Sequence, residues 1–393
     1  MSITVSDRVQ RVKPSPTMAV TALAAELRSQ GRDIIGLGAG EPDFDTPQHI
    51  KDAAIAAINA GDTKYTNVDG TPALKDAIIE KFKRDNNLTY AKDQILVSSG
   101  GKQTCYQVCM AALNDGDECI IPAPYWVSYP DMALLAGGVP VPVFGGIDQG
   151  FKITPAQLEA AITDRSRLLF LNSPSNPTGA AYTKAELQGL GEVLESHPNI
   201  VIATDDMYEH IYWADEPFVS FAEACPKLYD QTLTMNGVSK AYAMTGWRIG
   251  YCGGPAELVK AMKKIQSQST SNPVSVSQAA AVAALTAGDE CIDEMLVHFR
   301  ARHDYLVAAL NEIPGFSCIE GAGTFYAFPD VSEAMQAKGC KTDTDFSALL
   351  LNEAEVALVP GSAFGADGYM RLSFATSMEI LEEAIARIRK VLS

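Results

Sequence analysis

The chain has 393 residues, 47% hydrophobic and 20% charged, enough apolar material for a large core and too much for intrinsic disorder. Its 48 acidic against 31 basic side chains give a formal charge of -17, which opposes the counterion release that draws proteins onto nucleic acid or anionic lipid. No apolar run reaches the roughly 18 residues of a bilayer-spanning helix, and Met1 to Pro16 lacks a secretory stretch, so the expected setting is cytoplasmic, with no nucleic acid and no membrane as partner.

In chain order, the N-terminal segment reads as an arm that stays mobile unless something, such as a neighbouring subunit, ties it down. Thr46-Pro47, Thr71-Pro72 and Thr154-Pro155 each set a capping hydroxyl before a proline suited to the first turn, which predicts three helix starts. Thr183 to Glu186 reads as a capping box, and Ser377 opens a final helix with Ile380, Leu381, Ala384, Ile385, Ile388 and Val391 at helical period. Between the helices lie apolar runs at 94–97, 119–121, 168–171, 200–203, 232–235 and 247–251, mostly without polar alternation, as strands covered on both faces should be. The run 139–143 contains Pro140 and Pro142, which demote it to an edge strand or none.

Strands alternating with helices over 46–285 predict an α/β large domain with a mostly parallel central sheet and helices on both faces. From about Asp289 a long helix leads to strands near 324–328, 356–359 and 370–374, an α+β pattern; residues 1–45 and 286–393 are expected to form the small domain with its arm. The eight cysteines never form a CxxC pair, which suits small buried residues in a reducing compartment, with no metal expected.

Four segments at strand ends carry chemistry. Ser98 to Gln103 has two glycines between a buried strand and a helix, fitting either a tight turn or a backbone anion cradle at Gly100 and Gly101. Ser173 to Gly179 offers the Asn176 amide from a loop fixed by two prolines, at the carboxyl end of a strand. Asp205, in Thr204 to Tyr208, is a carboxylate at the edge of an apolar core and needs a cationic or hydrogen-bonding partner. Ser239 to Arg248 places one lysine, Lys240, in an otherwise uncharged stretch that ends on an arginine eight residues on; a desolvated lysine forms Schiff bases, whereas a surface loop lysine would look the same in sequence. Together a phosphate cradle, an Asp, an Asn and a lone Lys describe a pyridoxal phosphate pocket.

With Gly36 to Phe44, Asn176 to Gly179, Ser239-Lys240 and Tyr369 to Ser373 in this order, the chain resembles the fold-type I, class I aminotransferases, and within them the bacterial aspartate aminotransferases, some of which use prephenate. The resemblance implies the pyridoxal phosphate-dependent transferase fold and a catalytic trio of Lys240, Asp205 and Tyr208. Lys240 would bond the cofactor and then move the substrate proton, Asp205 would hold the ring nitrogen protonated, and Tyr208 and Asn176 would bond its phenolic oxygen. Trp126 would stack on the ring. Gly100, Gly101, Lys102, Arg248 and Ser239 would hold the phosphate, and Tyr65 would reach the phosphate of a neighbouring subunit in a homodimer with shared active sites. Arg371 would grip the substrate α-carboxylate, with the Gly40 backbone as accessory contact.

The implied reaction is ping-pong transamination between amino acids and 2-oxo acids, with aspartate and 2-oxoglutarate preferred over prephenate or aromatic donors. Lys13, Ser15 and Thr17 resemble an N-terminal segment that closes over substrate, and Lys102 is a second candidate for a distal carboxylate. The fold also hosts lyases and ligand sensors. Against a sensor, no basic DNA-binding segment precedes residue 30.

Overall fold

Residues 3–14 and 16–393 are described by a computed structural model. A helix, Pro16–Ser29, precedes a short first strand, β1 (Ile35–Gly36). Seven strands then build the principal sheet: β2 (Ile95–Ser98), β3 (Glu118–Ala123), β4 (Val139–Phe144), β5 (Ser166–Asn172), β6 (Val201–Asp205), β7 (Thr232–Gly237) and β8 (Gly250–Gly253), ordered β2-β8-β7-β6-β5-β3-β4. All pairs are parallel except those of β8, which runs antiparallel to both β2 and β7.

Strand parity explains why these runs are apolar without alternation. Cys119, Ile121, Leu168 and Phe170 face one layer with Val108 and Met262, while Ile120, Leu169 and Leu171 face the opposite layer with Leu187 and Leu190. Helices Gly101–Ala112 and Ala256–Ser267 supply the first layer, and Lys184–Leu194 the second. The proline-bearing β4 is one of the two edge strands, where the missing amides leave no neighbour unpaired.

The caps follow the sequence with one correction. Thr71 Oγ1 accepts from the Leu74 amide, and Thr154 and Thr183 form capping boxes with Gln157 and Glu186. Thr46 caps nothing. Pro47 takes the cap position of helix Gln48–Asn59, and Thr46 Oγ1 instead donates to the Ala243 carbonyl at 2.6 Å and accepts from Trp247 Nε1 at 2.9 Å. Tertiary partners on the Ser239 to Arg248 loop outcompete the local cap. That loop also corrects the run expected at 247–251: the strand begins only at Gly250, because Arg248 is left-handed, with φ 56°.

A second core gathers around helix Glu290–Asn311 and helix Met378–Leu392, packed on an antiparallel three-stranded sheet ordered β11-β12-β9. Its strands are β9 (Tyr326–Ala327), β11 (Val359–Pro360) and β12 (Met370–Ser373), with β10 (Val356–Ala357) just before β11. The single strand expected at 356–359 is therefore split, since β10 leaves this sheet to pair in parallel with β1. That pairing ties the N-terminal segment to the C-terminal third. All eight cysteines are free thiols, and no helix among the described residues is long and apolar enough to cross a membrane.

Candidate active site

The carboxyl ends of β5, β6 and β7 open into a cleft of about 570 Å³, roofed by Gly38, Gly40, Tyr326 and Arg371 from the second core. Open α/β sheets bind ligands at this end of their strands, and the volume suits a cofactor with a small substrate.

One end of the cleft is built for an anion. Gly100, with φ 88°, caps helix Gly101–Ala112, so the orphan amides and the positive end of the helix dipole face the cleft. Glycine is required there: a Cβ on Gly100 would lie 2.1 Å from Arg248 Nη2. Arg248 is steadied by its own donation to the Thr245 carbonyl at 2.8 Å, and Lys102 and Ser239 complete the wall. Burial and the neighbouring Arg248 charge both push the Lys102 ammonium below its usual range. Among the described residues neither cation pairs with a carboxylate, so two adjacent positive charges converge on a cradle that a phosphate would neutralise.

Lys240 stands at the centre. Its Nζ donates to the Gly40 carbonyl and lies 5.9 Å from the Tyr208 ring centre. Burial first, then the positive charge of Arg371, depress its pKa to about 8, so about a tenth is neutral amine at pH 7, far more than for an ordinary lysine. Asp205 ends β6. Burial pushes its carboxyl up, while a 2.6 Å hydrogen bond from Tyr129, the Met207 backbone amide and the Lys240 charge favour the anion. Its Oδ1 is buried without a hydrogen-bond partner. Asn172, at the end of β5, donates to the Asp205 carbonyl at 2.7 Å and accepts from the Asn176 amide at 2.8 Å, locking both segments to one strand end. The Tyr208 hydroxyl is 3.0 Å from that of Tyr326.

Arg371, on β12, is only 2% exposed and, among the described residues, has no carboxylate partner. Nη1 donates to Asn176 Oδ1 and Nη2 to the Gly38 carbonyl, each at 2.8 Å, while Nε is unpartnered. Its guanidinium stacks 4.4 Å from the Tyr326 ring centre. A buried guanidinium without a counter-ion could receive a carboxylate. Trp126 forms another wall, with Lys102 Nζ 4.9 Å from its ring centre.

Two sequence candidates lie away from the cleft of a single chain. Tyr65 is 91% exposed on the loop after helix Gln48–Asn59. Lys13 is exposed near helix Ser128–Leu135, where its backbone amide and charge partly stabilise the Asp131 carboxylate against the effect of burial. Ser15 lies outside the described residues, while Thr17 lines the cleft with Met18 and Thr21. The sequence reading missed Tyr129, Asn172, Gly38 and Tyr326. Tyr129 sits three residues after Trp126, across the turn that leads into helix Ser128–Leu135; Tyr326 comes from a distant strand and carries no local signal.

The donor set fits pyridoxal phosphate. The cradle would take the phosphate, Asp205 Oδ1 the ring nitrogen, Lys240 the aldehyde carbon and Trp126 one ring face. Residues 32–388 match the model of the family described as aminotransferase class I and II. An aspartate/prephenate aminotransferase of Nitrosomonas europaea is 58% identical over 394 residues, covering 99% of each chain. An aspartate aminotransferase of Geobacillus stearothermophilus is 51% identical, covering 98% of this chain and 97% of its own. The solved aspartate aminotransferase of Rhizobium meliloti superposes with TM-score 0.96 at 49% identity, over 100% of this chain and 99% of the other. That of Thermus thermophilus with maleate gives 0.93 at 42% identity, over 99% and 100%. Matched by the family model over residues 32–388 and by relatives along nearly its whole length, the protein belongs to the class I and II aminotransferase family.

Proposed function

We propose that the protein is a pyridoxal phosphate-dependent aspartate aminotransferase that converts L-aspartate and 2-oxoglutarate to oxaloacetate and L-glutamate. The observation that carries the reading is the buried, unpaired Arg371 facing the depressed-pKa Lys240 across one cleft, a carboxylate receptor beside a base. Bound pyridoxal phosphate supplies an electron sink for the carbon that loses its proton. Gly101, Arg248, Ser239 and Lys102 hold the phosphate, Asp205 keeps a proton on the ring nitrogen, and Tyr208 and Asn176 bond the phenolic oxygen. Arg371 orients the amino acid by its α-carboxylate, with Gly40 beside it. Lys240, its ammonium destabilised by burial and by Arg371, would carry the proton between the substrate Cα and the cofactor's C4′, as general base and then general acid.

Lys102 and the cleft-lining Thr17 are our candidates for the distal carboxylate; a dicarboxylic substrate is itself supported by the solved form of the Thermus relative with maleate, a dicarboxylate. Prephenate is the second substrate reading, favoured by the name of the Nitrosomonas relative. We infer a cytoplasmic homodimer of two-domain subunits. Exposed Ile55 and Ile58 on helix Gln48–Asn59, with Tyr65 and Val274 nearby, supply an apolar face through which Tyr65 would reach the partner's phosphate. Steady-state rates with both substrates varied test the activity: parallel double-reciprocal lines support two half-reactions in one pocket, and no turnover of aspartate, prephenate or aromatic donors refutes it.

A further inference from the structure

The two carboxylate oxygens of Asp205 have different surroundings. Oδ2 accepts the 2.6 Å hydrogen bond from Tyr129 Oη, and the Cys105 thiol lies 3.9 Å from the same atom. Oδ1 is equally buried and has no hydrogen-bond partner. The Tyr129 ring is held independently of this contact. It is 2% exposed, stacks on Phe170 at 4.4 Å between ring centres with 13° between planes, and meets the edge of Trp126 at 5.3 Å and 84°. Apolar packing thus fixes where the hydroxyl points, and a buried tyrosine hydroxyl must find an acceptor. Cys105 is pinned in the same way on helix Gly101–Ala112, its sulfur 4.0 Å from that of Met235.

We propose that Tyr129 is a positioning residue for Asp205: its hydroxyl occupies Oδ2, backed by Cys105, and so commits Oδ1 to the ring nitrogen of the cofactor. The inference rests on the reading that the cleft binds pyridoxal phosphate. A carboxylate with both oxygens free could rotate and share its charge between two directions; one already satisfied at Oδ2 presents a single acceptor. Tyr129 is also the largest of the groups that draw the buried Asp205 carboxyl back toward the anion a protonated ring nitrogen requires. Because the same ring abuts Trp126, one side chain sets both the acceptor for the ring nitrogen and the wall against the ring face.

The test compares cofactor-free wild type with Tyr129→Phe, which keeps the stacked ring and deletes the hydroxyl. Each is titrated with pyridoxal phosphate and with its 1-deaza analogue, in which a C–H replaces the ring nitrogen, and binding is followed by tryptophan fluorescence. One lost charge-assisted hydrogen bond predicts a loss of about tenfold in affinity for pyridoxal phosphate. The analogue should lose less than about twofold, because it offers Oδ1 no partner. In an Asp205→Asn background, Tyr129→Phe should no longer narrow the preference for pyridoxal phosphate. An equal loss for both ligands would make Tyr129 a packing residue, and an undiminished preference for pyridoxal phosphate in Tyr129→Phe would equally overturn the proposal. Wild type that binds neither ligand would instead refute the functional reading on which the proposal rests.

Discussion

Replacing Arg371 with methionine should separate activity from stability. A guanidinium and a carboxylate make two charge-assisted hydrogen bonds, each worth about 1.5–3 kcal/mol, so losing both removes about 3–6 kcal/mol of binding to the reacting state. At about 1.4 kcal/mol per factor of ten, kcat/KM for aspartate should fall roughly 10²- to 10⁴-fold. The fold should scarcely notice. Arg371 buries its charge against neutral acceptors, the Gly38 carbonyl and Asn176 Oδ1, with no anion to offset desolvation. Removing an uncompensated buried charge recovers several kcal/mol, which opposes the roughly 1–3 kcal/mol of each orphaned acceptor. Net stability should stay within about 2 kcal/mol of wild type. Arg371→Lys, which keeps the charge but loses the fork, should sit between the two in activity. Oxaloacetate release followed in a coupled assay, beside thermal melts of the same samples, gives both numbers. Arg371→Met retaining more than about a tenth of wild-type kcat/KM, or losing activity only in step with unfolding, would refute the carboxylate-receptor argument.

In cofactor-free protein, Lys240 should react with a small acylating reagent at a rate half-maximal near pH 8, measured by peptide mass spectrometry, where an ordinary lysine would need pH near 10. The stability linkage has a definite sign: with its folded pKa depressed, Lys240 binds fewer protons folded than unfolded between about 8 and 10.5, so its contribution to stability rises with pH across that window. In Lys240→Met that rise should vanish, so the variant's stability should fall relative to wild type across the window. Lys81 is fully buried and bonds Glu209 and Asn86, so Lys81→Met should cost about 3–5 kcal/mol in urea melts, and Lys81→Met with Glu209→Gln should cost less than the sum of the two. Thr183→Ala, which removes the capping hydroxyl of helix Lys184–Leu194, should cost about 1 kcal/mol without altering kcat. Lys102→Met should reduce kcat/KM more for aspartate than for an aromatic donor if Lys102 meets the distal carboxylate; an equal reduction would confine it to the phosphate cradle.

What could be read from the sequence followed the range of the forces involved. Unbroken apolar runs mark doubly covered strands because layers of helix lie on both faces, and prolines mark the edge because they lack amides; both signals are local. Thr71, Thr154 and Thr183 cap as their neighbours dictate, whereas Thr46 is taken by Ala243 and Trp247, about 200 residues away in sequence, and no local rule anticipates that. The same holds for the split of the 356–359 run, decided by the pairing of β10 with β1. At the site, Lys240, Asp205, Asn176 and the Gly100 turn stand out as unusual residue types at strand ends. Asn172, Tyr129 and Tyr326 do not, since each matters only through a partner on another element.

The most direct measurement is the absorbance spectrum of the protein loaded with pyridoxal phosphate, recorded before aspartate, after aspartate, and after subsequent 2-oxoglutarate. The expected result is a visible band that depends on Lys240, is bleached by aspartate alone, and returns on adding 2-oxoglutarate, each half-reaction proceeding without the other substrate. A band that aspartate leaves unchanged while an aromatic donor or prephenate's amino product bleaches it would contradict the aspartate assignment, and the absence of any Lys240-dependent band would contradict the cofactor chemistry itself.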